Sequence, residues 1–148
     1  MYEIILMTHS FLRWVVLILA LITVVKYLIG WLQKKSFTAS ENKISLFYSI
    51  AMDIQLIVGL VLYLFLSPIT NTFQIDMKDT FSRFWGMEHL AMMIIAIALV
   101  HIGRVMVKKG KTDVAKFSKG SIYFMLSLLI MLASIPWPFR EIIGRPWF

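Results

Sequence analysis

Four long apolar runs separated by three short polar connectors organise the chain, covering residues 5–32, 44–67, 84–107 and 121–139. A helix needs ~20 residues to cross the hydrocarbon core of a bilayer, and each run is near or above that length. Membrane-spanning β-strands would be ~10 residues of alternating polarity, whereas these runs are continuous. Short connectors between long helices place successive helices antiparallel. The pattern predicts an all-α integral membrane protein: one domain, folded as an up-down-up-down four-helix transmembrane bundle.

The connectors differ in charge. Residues 33–43 hold Lys34, Lys35 and Lys43, and residues 108–120 hold Lys108, Lys109, Lys111, Lys116 and Lys119. The middle connector, residues 68–82, holds Lys78 together with Asp76 and Asp79. Lysine-rich loops stay in the cytoplasm, so the first and third connectors are expected inside and both termini outside. Trp14, Trp85 and Trp137 then fall at the outer interface and Trp31 at the inner one, as in aromatic belts. Spans one and three run in the same direction and each carries a histidine near its outer end, a faint two-fold repeat of helix pairs of the kind membrane proteins use.

Composition narrows the alternatives. Of the 148 residues, 59% are hydrophobic and only 16% charged, where a soluble domain usually has ~25%. Cysteine is absent, which excludes thiolate-held iron–sulfur clusters, Cys-x-x-Cys-His haem attachment and disulfides. The net charge of +7 is the topology signal of basic loops and implies no nucleic acid partner. Glu3 stands where a secretory signal carries positive charge, and no small-residue cleavage site follows, so the first span is expected to be retained. The expected setting is a bacterial inner (cytoplasmic) membrane, crossed several times in contact with lipid.

Titratable groups within such spans are costly and mark candidate function. His9 near the outer end of span one and His89 near that of span three lie in the same leaflet. Across a diagonal of the bundle they can clamp one haem iron from both sides, as in b-type cytochromes. The two propionates of a haem need donors, and Arg13, one helical turn from His9, shares its face. Arg83, Arg140 and Arg145 are expected on the same side of the membrane; each either anchors a propionate, which arginine suits well, or snorkels to lipid headgroups. Glu88 either orients His9 through its free ring nitrogen or pairs with Arg13.

His89 and His101 stand twelve residues apart, a rise of ~18 Å and a turn of ~120°. They do not share a face, and a second haem is disfavoured. His101 instead lies at a depth near Asp53 and Gln55 of span two. A buried His101–Asp53 pair would serve as a proton path toward a quinone or as a polar clasp between spans. Met92 and Met93 follow His89 by three and four residues, and thioether with imidazole suits copper; methionine is also ordinary apolar filler. The tail from Ile135 cannot stay helical past Pro136 and Pro138, and is expected to lie along the outer interface as an aromatic lid or anchor. No phosphate loop, nucleophile triad or paired catalytic carboxylates are present, so hydrolytic chemistry has no support.

Five stretches carry a resemblance over nearly the whole chain: His9-Ser-Phe-Leu-Arg-Trp14, Asp53-Ile-Gln-Leu-Ile-Val-Gly-Leu-Val-Leu-Tyr63, Arg83-Phe-Trp-Gly-Met-Glu-His89, His101-Ile-Gly-Arg104, and Ile135-Pro-Trp-Pro-Phe-Arg140 with Gly144-Arg-Pro-Trp-Phe148. In these the chain resembles small four-span bacterial membrane proteins labelled cytochrome b-like, which adds weight to haem. The expectation is one haem b, with electrons passed between a quinol or a partner subunit and the periplasmic side. The protein is expected to be an electron carrier or subunit more than a stand-alone enzyme. From a different class comes a cofactor-free accessory subunit of a respiratory or other membrane complex. A small transporter is a third class, but the broken helices of such folds are not evident.

Overall fold

A computed structural model describes residues 1–70 and 74–147. Residues 71–73 of the middle connector, and Phe148 at the end of the expected lid, lie outside the described residues. Four helices are long and apolar enough to cross a membrane: α1 Tyr2–Leu32, α2 Ala39–Leu66, α3 Thr80–Lys108 and α4 Asp113–Ser134. This is a multi-pass membrane protein with lipid-facing apolar helices. Ile18, Leu21, Ile57, Ile94, Ile95 and Leu129 are exposed on the outside of the bundle, where hydrocarbon solvates them.

All four helices begin before their apolar runs do, and for three of them side-chain caps explain where. Thr38 and Glu41 form a reciprocal capping box, in which the side chain at each end satisfies an N–H the first turn leaves free. Asp79 caps α3 by accepting from the Ser82 N–H, and Thr112 caps α4 by accepting from Ala115. The start of α2 is thus Ala39 and that of α4 is Asp113, several residues earlier than hydrophobicity alone places them. At the other end α4 stops at Ser134, short of residue 139. Pro136 and Pro138 forbid continuation, and the Arg140 guanidinium donates to the terminal carbonyls of Ala133 at 3.0 Å and Ile135 at 3.3 Å.

Helix α1 packs against α2 and α4, and α3 against α4 and, more loosely, α2. Helices α1 and α3 therefore occupy one diagonal. The half of the bundle beside the lysine-rich connectors is solid. There Tyr27, Tyr48, Phe117 and Phe124 are fully buried, and Tyr27 meets Phe124 edge to face with ring centroids 5.0 Å apart, a favoured aromatic geometry. The Tyr27 hydroxyl donates to the Glu41 carbonyl at 3.1 Å. Across the core, Ser127 Oγ donates to the Ala96 carbonyl at 2.8 Å and lies 3.0 Å from the Tyr48 hydroxyl.

The opposite half, which carries both termini, is built differently. Leu62–Leu66 of α2 and Phe84–Glu88 of α3 are each wound as one π-helical turn, a local widening that recurs at functional sites. The Tyr63 hydroxyl donates to the Gly86 carbonyl at 2.6 Å and so joins the two π turns. Beyond α4 the tail folds back over this end, with Trp14, Trp137 and Trp147 in mutual contact. Arg13 Nη2 donates to the Trp147 carbonyl at 2.6 Å, and Trp14 Nε1 donates to the same oxygen at 3.2 Å.

Candidate functional site: a cavity between two histidines

The π-wound half is hollow. A cavity of about 330 Å³ lies there, and both His9 and His89 line it. Its size falls within the range of small-molecule and cofactor pockets, ~300–1,000 Å³. The walls come from all four helices and are mostly apolar, including Leu56, Leu90, Ile97 and the methionines Met7, Met52, Met93 and Met131. Toward the tail the lining becomes polar, with Arg13, Arg145, Trp85 and Glu3.

His89 is held firmly. Its Nδ1 is 2.9 Å from the Ser134 carbonyl, an oxygen that can only accept, so the ring proton sits on Nδ1. Nε2 is then the lone-pair nitrogen. This tautomer, tied by a backbone carbonyl, is the one histidine adopts when its other nitrogen binds a metal. Phe84 and Trp85 flank the ring, with centroids 5.8 Å away in each case.

His9 is held differently. The side-chain Nε2 of Gln55 donates to the backbone carbonyl of His9 at 3.0 Å and lies 3.3 Å from the His9 ring Nε2. That carbonyl also fixes which end of the Gln55 amide faces His9: only the nitrogen can donate to it. The ring Nε2 must then accept, and the His9 proton sits on Nδ1. His9 Nδ1, Gln55 Oε1, Arg13 Nε and Trp85 Nε1 are all buried without a hydrogen-bond partner among the described residues. Buried polar atoms are rarely left so, and a cluster of them around one cavity points to a ligand. On α2, Gly59 lies directly against the His9 ring: a Cβ there would come within 3.0 Å of His9 Cε1.

Of the four arginines expected near a haem, the structure brings two to the cavity, Arg13 and Arg145. Arg13 is engaged by the Trp147 carbonyl, and Arg145 lies over the Trp85 ring at 4.9 Å. Neither has a carboxylate partner among the described residues. Arg83 and Arg140 are committed elsewhere, Arg83 to Glu88 at 2.6 Å and Arg140 to the carbonyls ending α4 and the Phe84 ring.

Glu88 therefore pairs with neither Arg13 nor His9, in contrast to both sequence expectations. Five residues separate Arg83 from Glu88, and the intervening π turn stacks residues five apart, where an α-helix stacks those three or four apart. Gln55 likewise turns to His9 instead of His101. His101 and Asp53 do meet, at 2.8 Å, but their side chains are 50% and 44% exposed. The pair lies on the outer surface of the α2–α3 seam and is not the buried clasp expected. Met93 lines the cavity and Met92 does not. The described residues contain no cluster of three or more metal-ligating His, Asp or Glu side chains.

Sequence reasoning placed Gln55 near His101 and not at His9, and assigned no role at the site to Gly59, Tyr63 or Ser134. The Asp53-to-Tyr63 stretch holds three of these, spaced by four along α2, which is the periodicity of one helical face.

No family model matches the chain, and neither a curated protein nor a solved structure does. Fold and site define a four-helix membrane protein with a cofactor-sized cavity lined by two imidazoles from its diagonal helices.

Proposed function

We propose that the cavity holds one b-type haem, whose iron His9 and His89 would hold, and that the protein carries electrons between a quinol or partner subunit and the side of the membrane bearing its termini. The observation that carries this reading is the pair of histidines lining one apolar cavity from diagonal, co-directional helices, with His89 Nδ1–H donating to the Ser134 carbonyl.

The residues present fit the group. His89 offers a lone pair on a ring already oriented by its backbone bond. Buried polar atoms without partners among the described residues cluster at His9, and apolar walls of leucine, isoleucine and methionine exclude water. Arg13 and Arg145 supply guanidinium donors suited to two carboxylates at the end where the tail closes the site. When bound, the group supplies a one-electron couple; the chain's part is to bind, to orient, and to keep the site dry. The resemblance to cytochrome b-like proteins points the same way. A bacterial cytoplasmic membrane with both termini outside is the matching setting.

The test is the visible absorption spectrum of the detergent-solubilised protein, oxidised and then reduced with dithionite. A Soret band that sharpens and shifts on reduction is expected, at one haem per chain. His89→Ala should abolish it, and His101→Ala, which alters a group outside the cavity, should leave it intact. Colourless protein from haem-replete cells would overturn the reading in favour of a cofactor-free accessory subunit.

A further inference from the structure

The two histidines differ in what holds them, and the difference has chemical content. On His89 the backbone bond sits on Nδ1 and leaves Nε2 with its lone pair. On His9 the Gln55 amide faces Nε2 and leaves Nδ1 protonated, buried and without an acceptor among the described residues. To give a lone pair to a metal, His89 has only to stay where it is. His9 has first to shed Gln55. Gly59, with no side chain beside the His9 ring, leaves that ring free to turn, since any Cβ would press on it.

We infer, building on the haem assignment above, that Gln55 is a positioning residue that makes His9 the displaceable ligand, so that the His9 side of the iron is open to a small neutral diatomic molecule. Gln55 and the iron compete for one nitrogen. His89 is the permanent ligand. The protein would thus bind a π-acceptor such as carbon monoxide at a position that two equally held imidazoles would keep closed. The cavity as a whole has apolar walls that include Leu56, Met52 and Met93, which suits an uncharged ligand of two atoms.

The probe is carbon monoxide, added to the dithionite-reduced protein in detergent and read by its Soret shift, for wild type and Gln55→Met. Methionine keeps the length of the side chain and removes the donor. Wild type is expected to shift with carbon monoxide. Gln55→Met, in which His9 Nε2 is released to the metal, should bind it roughly five-fold more weakly, the factor that one net hydrogen bond carries. Its spectrum without gas should also become more fully six-coordinate and low-spin. A coloured wild type that ignores carbon monoxide, or a Gln55→Met protein indistinguishable from wild type, overturns this inference and leaves the haem reading standing. Colourless protein overturns both. Should the methionine variant fail to fold, Gln55→Leu replaces it, and an unshifted wild type is decisive by itself.

Discussion

Gly30 and Gly120 each face an aromatic ring from the neighbouring helix. A Cβ on Gly120 would lie 2.2 Å from Tyr27 Cδ1, and one on Gly30 would lie 2.2 Å from Phe117 Cε1. Small residues of this kind let membrane helices approach closely, where packing drives association in place of hydrophobic burial. Tyr27 cannot simply swing aside, because its hydroxyl is bonded to the Glu41 carbonyl and its ring is wedged between Phe37, Phe117 and Phe124. Gly120→Ala is therefore expected to lower stability by about 1–3 kcal/mol, the cost of overpacking, measured as a fall in the thermal unfolding midpoint in detergent. At this scale the sequence is an uneven guide. That His9 and His89 share one cavity follows from direction and depth, which lengths and loop charges convey. That Gln55 faces His9 and not His101 depends on how α2 is rotated about its axis, and an almost uniformly apolar helix carries little pattern to say so.

Among the elements, the π turns did most to separate expectation from structure. Each inserts one extra residue per turn and shifts the phase of everything beyond it. This is why Arg83 reaches Glu88 and leaves Arg13 to the tail. A π turn also frees a backbone carbonyl from the helix ladder, and here side chains collect two of them: Tyr63 donates to the Gly86 carbonyl at 2.6 Å, and Thr70 Oγ1 donates to the Tyr63 carbonyl at 2.7 Å. Tyr63→Phe removes the first bond and leaves the Gly86 carbonyl unmatched. The expected loss is about 1 kcal/mol, read from unfolding of the variant and the wild type in the same detergent. An unchanged midpoint would show that the bond between the two π turns adds nothing to stability. The helix starts were more legible than hydrophobicity suggests. The Thr38-Ala-Ser-Glu41 sequence is a capping-box signature, and the polar first turns of α2 and α4 are what an interfacial helix end requires.

For the whole molecule, the division into a solid half and a hollow half matters most. The solid half lies beside the lysine-rich connectors, and the hollow half lies under the tail, with the tryptophan cluster of Trp14, Trp137 and Trp147 across its end. Four continuous apolar runs made the bundle readable in advance. The cavity was not, because it depends on how side chains from all four helices fail to fill a space together. Charge gives the expectation for which half faces the cytoplasm. Lys34, Lys35, Lys43, Lys108, Lys109, Lys111, Lys116 and Lys119 cluster at one end, against Arg13, Lys78, Arg83, Arg140 and Arg145 at the other. Of the latter, Arg83 is paired with Glu88 and Arg140 is bound to the end of α4. Because lysine-rich loops tend to be retained on the cytoplasmic side, the solid half is expected to face inward. The chain has no cysteine, so single cysteines report position without background. In intact bacterial cells a membrane-impermeant maleimide is expected to label Gln74→Cys and Glu141→Cys, whereas Ser36→Cys and Lys111→Cys should react only after lysis. The reverse pattern would put the cavity in the cytoplasmic leaflet. Any electron carried through it would then arrive at the inner face of the membrane, and its partners would have to be sought there.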